Sequence, residues 1–325
     1  MQAIAIDVGY SHVKAVSPDH RIIIPSVVAP YRELTLADMS EGVGHTVEIR
    51  QVNGTKTKHF VGELAVREGR GATFTLDRHK HRHPNHDILI LTSARLLNIQ
   101  PGAILGVGLP VAYYRSQREE LSKHLMSLHA EVKVDNGSFN RVSFGRVVVY
   151  PQGAGALLTA PDLPSDGLVL LVDVGYKTTD FVVAEIAGGI ARPVSSLCGS
   201  IETGVHTVHE AISAEYQTRT GTPLAAVDVH QLINNKGKIF FYGNEIDLSD
   251  ALKKIKDAVA VNIIDQVMAR LGDRAAFVRR AYLAGGGADA LPALKNIFPV
   301  TQILPDPQWA NAKGFLSVVR RLETA

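Results

Sequence analysis

Residues 3–16, AIAIDVGYSHVKAV, recur in kind at residues 170–183 as LLVDVGYKTTDFVV. Each copy is an apolar run that ends in Asp-Val-Gly-Tyr and is followed by a second run of strand type. A chain that writes the same strand, turn and strand twice restarts its folding pattern halfway, so two similar domains are expected. The turn also carries chemistry. A buried strand ending in Asp sets a carboxylate at the strand's mouth, and the following glycine lets the backbone bend tightly and aim its N–H groups at an anion. Two such turns facing each other would clamp one polyphosphate. Asp7 and Asp173 would then meet across a divalent cation, and magnesium keeps several of its waters in such sites. For a single copy the plain alternative is a tight hairpin in which Asp has only a turn role. Lys14 follows Asp7 on the second strand, either reaching the phosphates as a positive charge or standing as an exposed strand lysine.

Composition narrows the class. With 325 residues, 46% of them hydrophobic and 20% charged, the chain can bury a large core and divide into two domains. Lys and Arg number 34 against 32 Asp and Glu, so the net charge of +2 gives no global reason to expect direct nucleic-acid binding. Cys198 is the only cysteine, which excludes an internal disulfide and fits a reducing compartment. The first residues lack a basic stretch followed by a long apolar one, and no run approaches the roughly 18 apolar residues needed to span a bilayer. The expectation is a cytoplasmic protein without a direct membrane partner.

Strands and helices alternate along the chain, which predicts an α/β fold. Short β-type runs and scattered glycines between about residues 34 and 75 suggest a small inserted subdomain. A helix is expected over 87–99, a strand over 102–110 that Pro110 stops, a helix over 114–128 and a strand over 142–150. Pro161 to Gly167, with two prolines and a terminal glycine, is the best boundary, giving domains 1–160 and 161–325. Beyond it, residues 168–176, 180–186 and 191–197 read as three strands. Helices over 203–220, 224–233 and 248–271 suggest a helical insertion over about 203–270; a strand over 280–284, a helix from Ala288, a strand over 300–304 and a last helix from about Trp309 follow. A third glycine cluster, LAGGG at 283–287, would let the backbone pass close to a base or ribose; alone it is a weak signal.

These residues resemble the actin, heat-shock chaperone and sugar-kinase superfamily, whose nucleotide site is similar in having five motifs in a fixed order. Asp7 to Lys14 looks like the first phosphate loop and Gln152 to Ala156 like the first connecting motif. Asp173 to Asp180 looks like the second phosphate loop, Leu283 to Gly287 like the adenosine motif and Asn311 to Gly314 like the second connecting motif. The resemblance implies a duplicated, ribonuclease H-like two-domain fold with a nucleotide cleft between the domains. ILGVGLPVAYY at 104–114, FVGELA at 60–65, TLDRHKH at 75–81 and ANAKGF at 310–315 look like the plasmid-segregation proteins called ParM or StbA and their archaeal actin-like relatives.

What the resemblance implies for single positions follows residue by residue. Asp7 and Asp173 would hold Mg²⁺ through its waters. Amides around Gly9, Tyr10, Ser11, Gly175, Tyr176, Lys177 and Thr178 would bind the phosphates, with Lys14 at the β-phosphate. Gln152 would orient the attacking water. Asp180 stands near the γ-phosphate or has a structural role, and Glu202, Gly204, Gly285, Gly286 and Gly287 would line the base pocket. The implied ligand is Mg-ATP, with GTP as the alternative, and the implied activity is slow ATP hydrolysis stimulated by polymerisation. The implied partner is a second copy, head to tail in a filament, with a DNA-bound adaptor if the role is plasmid segregation rather than cytoskeletal positioning. Alternatives are a non-polymerising ATPase, a small-molecule kinase or a nucleotide-binding scaffold. The basic run RHKHRHPNH at 78–86 reads as an exposed or intersubunit loop, with a nucleic-acid or other partner contact and a metal site as alternatives.

Overall fold

The computed structural model describes residues 1–34, 43–69, 73–74 and 82–323. The chain forms two compact units, Met1–Thr159 with Trp309–Ala325, and Ala160–Gln308.

The first unit opens with an antiparallel meander of β1 (Ala3–Val8), β2 (His12–Val16) and β3 (Arg21–Pro25). Then come β4 (Val27–Pro30), β5 (His45–Gln51), β6 (Lys56–Val61), α1 (Glu63–Glu68), β7 (Thr73–Phe74) and α2 (Pro84–Leu96). The series continues with β8 (Ala103–Leu109), α3 (Val111–Ser127), β9 (His129–Val134), β10 (Asn140–Pro151) and α4 (Ala154–Leu157). The strands form one sheet in the order β3-β2-β1-β8-β10-β9-β5-β6-β4-β7. β1 runs parallel to β8, and β8 parallel to β10. β10 serves both halves of the sheet: residues 140–143 pair antiparallel with β9, and from Phe144 onward it pairs with β8 after a register shift between Phe144 and Arg146. A bulge of this kind re-aims a strand without ending it.

β1 is apolar along its length because it is covered on both faces. Ile4, Ile6 and Val8 join Leu89, Ile90 and Leu91 of α2, whereas Ala5 packs with Ala312 and Phe315, and Ala3 with Val319, of the C-terminal helix Ala310–Arg320. That helix therefore closes the first unit. The expected second domain running to Ala325 differs here, since an amphipathic pattern announces an apolar face without saying which core it will cover.

The second unit contains β11 (Asp166–Val174), β12 (Thr179–Ala187), β13 (Ile190–Pro193), β14 (Gly199–Ile201), α5 (Val205–Thr220) and α6 (Ala226–Asn234). It continues with β15 (Lys238–Phe241), β16 (Asn244–Asp247), α7 (Ser249–Leu271), β17 (Val278–Ala284), α8 (Gly287–Ala290) and β18 (Thr301–Ile303). Its main sheet runs β13-β12-β11-β17-β18, with β14 added to β12. β11, β17 and β18 are parallel, and β12 and β13 complete an antiparallel meander. The duplicated sequence thus folds into a duplicated topology: a three-stranded meander followed by two parallel strands, once in each unit.

Three local readings differ. Only the first part of 191–197 is strand; β13 ends at Pro193, Val194 N keeps one more bond to Val183 O at 2.8 Å, and the chain then turns through 195–197 and returns as β14. The helix expected from Ala288 is one turn, followed by a 3₁₀ turn that begins at Pro292. β4 and the hairpin β15–β16 go unread in the sequence, being short and lacking a clean period, and so does β9, although HAEVKV alternates polar and apolar residues as a half-buried strand does. Among the described residues no helix is long and apolar enough to cross a membrane.

Candidate phosphate turns

In the first unit Asp7 lies opposite Lys14 in the β1–β2 register, and Lys14 Nζ donates to Asp7 Oδ2 at 3.0 Å. Gln152, just past β10, donates through Nε2 to Asp7 Oδ1 at 2.9 Å. Both oxygens of this buried carboxylate are thereby engaged, one by an ammonium and one by an amide. Gly9 N donates to Asp7 O and His12 O, both at 3.1 Å. A side chain at Gly9 would set its Cβ 2.6 Å from His12 O and 2.9 Å from Lys14 Nζ, so the turn accepts only glycine. Ser26 fastens the same loop, its hydroxyl donating to Gly9 O at 2.7 Å and its amide to Ser11 O at 2.8 Å. Tyr10 is 5% exposed, so its ring packs into the fold.

Gln152 is held from the C-terminal helix. Its amide bonds Leu109 O at 2.8 Å; the next residue, Gly153, has φ +75, and Asn311 Oδ1 accepts from Gly153 N at 3.0 Å and Ala156 N at 3.2 Å. The Asn311 side chain thus caps α4 from outside, satisfying amides that so short a helix leaves open. Gly155 and Gly314 touch backbone to backbone at this crossing, and Gly108 and Gly155 leave room for the Phe315 ring. The two segments that the resemblance pairs as connecting motifs meet here in one packed junction.

The second unit repeats the turn. Asp173 lies opposite Asp180 in the β11–β12 register, and Gly175 N donates to Thr178 O at 2.9 Å. A Cβ on Gly175 would lie 2.9 Å from that same oxygen. Where the first turn has Lys14 across from its aspartate, this one has a second carboxylate, so the two differ in charge. Asp180 accepts from the hydroxyl of Ser200 on β14, a partner the sequence reading missed.

Around this turn the other expected residues act mainly by close approach. Gly204 sits where a Cβ would be 2.6 Å from both Gly175 O and Tyr176 O, and the first amides of α5 return to those carbonyls, Val205 at 3.2 Å and His206 at 2.7 Å. Gly285, at φ +80, bonds Pro307 O at 2.9 Å and passes Asp173 so closely that a Cβ would lie 2.5 Å from its Oδ1. Gly287 packs on Val174, whereas Gly286 has its nearest neighbour, Gln308, 3.9 Å away. Gly286 alone of the three has open space beside it. Thr178 is buried, Lys177 is half-buried and Glu202 is exposed.

Part of the basic run lies outside the described residues, as do all of 75–81. The rest is not a loop: Pro84 starts α2, where proline is preorganised, and His83 Nδ1 accepts from Asn85 N at 3.2 Å as its cap. Arg82 forms a two-pronged pair with Glu120, at 2.9 and 3.0 Å. His124 bonds Asp87 at 2.7 Å; burial works against ionisation of Asp87, but His86 and His124 outweigh it and hold the carboxyl below its usual range. Among the described residues no group of three His, Cys, Asp or Glu side chains is arranged to hold a metal ion.

Against known proteins, residues 5–155 match the family described as the N-terminal domain of actin-like proteins, and residues 171–296 that of the C-terminal domain of archaeal MreB-like actin homologues. An archaeal actin homolog of Thermoplasma acidophilum is 23% identical over 340 residues, covering 99% of each chain. A ParM from Clostridium botulinum, solved as a 15-stranded filament, is 26% identical with a TM-score of 0.89 over 99% of this chain and all of that one. An archaeal actin homolog solved in complex with ADP is 22% identical with a TM-score of 0.81 over 99% of this chain and shares the fold. With the two family domains in order and relatives matching from end to end, the chain belongs to the actin-like proteins.

Proposed function

We propose that the protein binds Mg-ATP with its two glycine turns, hydrolyses it slowly, and polymerises head to tail in a nucleotide-dependent way. The observation that carries this reading is the repetition of one device: a buried aspartate closing a core strand, then a glycine turn too tight for any side chain, at Asp7–Gly9 and again at Asp173–Gly175. The Gly9 and Gly175 amides close their own turns, so phosphate oxygens would be met by the amides of the residues that follow each glycine. The donor set suits magnesium held through water. Each Asp7 oxygen already has one hydrogen-bond donor and keeps a lone pair for a metal-bound water, a better match to an outer contact than to direct ligation. Bound magnesium would supply charge neutralisation between the β- and γ-phosphates.

Gln152 orients the water. With Nε2 committed to Asp7, its Oε1 is the free acceptor for a water proton. The water oxygen bonds to the γ-phosphorus, the bond to the bridging oxygen breaks with its electron pair leaving on ADP, and a proton passes to solvent. A neutral amide positions a nucleophile but is no base, so turnover is slow. Lys14 stays paired with Asp7 and presents its charge to the β-phosphate. Non-closing contacts between identical subunits give open filaments, the geometry that plasmid partition through a DNA-bound adaptor or cytoskeletal positioning requires.

The test is light scattering recorded with phosphate release over a range of protein concentrations in Mg-ATP, repeated with GTP. Scattering above a critical concentration with phosphate following supports the reading. Hydrolysis without scattering moves it to a non-polymerising ATPase, and Asp173→Ala that still hydrolyses at the wild-type rate overturns the site.

A further inference from the structure

The second glycine turn is tied to the helical insertion by a stack of rings that no motif announces. Tyr176, in the turn, shares a hydrogen bond of 3.3 Å between its hydroxyl and His209 Nδ1, with ring centroids 5.2 Å apart and planes at 82°. His206, one turn earlier on α5, meets the same tyrosine edge-on at 5.1 Å. His230 of α6 closes the far side, 4.8 Å from His209 at 84°. The carbonyls of Gly175 and Tyr176 also receive the first two amides of α5, so turn and helix are joined through backbone and side chains together.

We infer that the Tyr176–His209–His230 stack is a positioning device that fixes the second turn for phosphate binding from the side of α5 and α6; the phosphate part of this inference rests on the function proposed above. The first turn is fastened differently, by Ser26, so this device belongs to the second unit. Accepting the tyrosine hydroxyl requires a bare Nδ1, hence a neutral imidazole. Burial, then His230, His206 and Lys256, push the His209 pKa down to about 4, which keeps it neutral at physiological pH.

Two readouts test this on the full chain, using Tyr176→Phe, His209→Phe, their combination and His209→Gln. The first is hydrogen exchange of the amides of 175–178 without nucleotide. The second is the affinity for a fluorescent ATP analogue with magnesium. Tyr176→Phe and His209→Phe should each speed exchange in the turn while β11 stays protected, and each should weaken binding about tenfold, the effect of one lost hydrogen bond. The double variant should lose no more than either single one, and His209→Gln, whose side-chain oxygen accepts the hydroxyl, should return within about twofold of wild type. Unchanged exchange, or losses that add in the double variant, overturn the inference. Faster exchange in a protein whose wild type binds no nucleotide supports the positioning role and overturns the ATP reading instead.

Discussion

Gln152 and Asp7 lie 145 residues apart in sequence, yet a single hydrogen bond of 2.9 Å joins them inside the fold. The amide is fixed by that bond, so its remaining oxygen has one direction in which to hold a water. Gln152→Ala should lower the rate of phosphate release by about 100-fold, as loss of one positioned polar group does elsewhere, while the affinity for ATP changes little. Single-turnover kinetics beside equilibrium titration separate the two.

Gln152→Glu tests the same contact by charge. It sets a second carboxylate against Asp7, and one of two such groups must hold a proton. Nucleotide binding should weaken at pH 8 and recover as the pH falls toward 6, a trend that wild type should lack. A flat profile would refute the contact.

Gly314→Ala should destabilise the first unit by about 1–3 kcal/mol, the usual range for forcing an atom into a packed interior, because the new Cβ meets the Gly155 carbonyl. Gly286→Ala, with nothing nearer than 3.9 Å, should unfold in urea like wild type. Asn311→Ala should cost about 1–2 kcal/mol through the lost cap of α4.

His209 makes stability depend on pH in a defined window. Its folded pKa, about 4, lies below the ordinary 6.5, so the unfolded chain binds the extra proton first as the pH falls. Its contribution is complete above pH 6.5 and is lost down to about pH 4, by roughly 2 kcal/mol between pH 6.5 and 5. Half-buried His59, whose pKa burial also lowers, acts in the same direction. Urea midpoints at pH 7 and 5 should differ less in His209→Gln than in wild type.

Which parts of this fold can be read from sequence depends on how local their causes are. The ends of β1 and β11 are legible because a buried strand, an aspartate and a glycine sit within three positions and occur twice. The start of α2 inside the basic run is written locally as His83-Pro84, yet the run of charges masks it. What packs on each turn is not local. Tyr10 and Tyr176 hold equivalent places in the repeat, but one is sunk into its unit and the other meets two histidines of α5, behind one of which stands His230 of α6. His206 and His209 are three apart on one helix, which hints at a shared face, but only folding supplies the tyrosine. The same holds for Asn311, whose motif is visible while its role as a cap for a helix some 155 residues earlier is not.

Because the last helix completes the first unit, the chain leaves that unit at Thr159 and returns to it at Trp309. A ribosome making this protein therefore releases a whole second unit before the first can be finished. Until residues 310–320 emerge, Ala3, Ala5, Gly106 and Gly108 wait with one face uncovered. The second unit is free to fold during synthesis, whereas the first cannot bury its sheet until the final turns of helix arrive, so loss of even a short C-terminal segment harms the half of the protein that was made first.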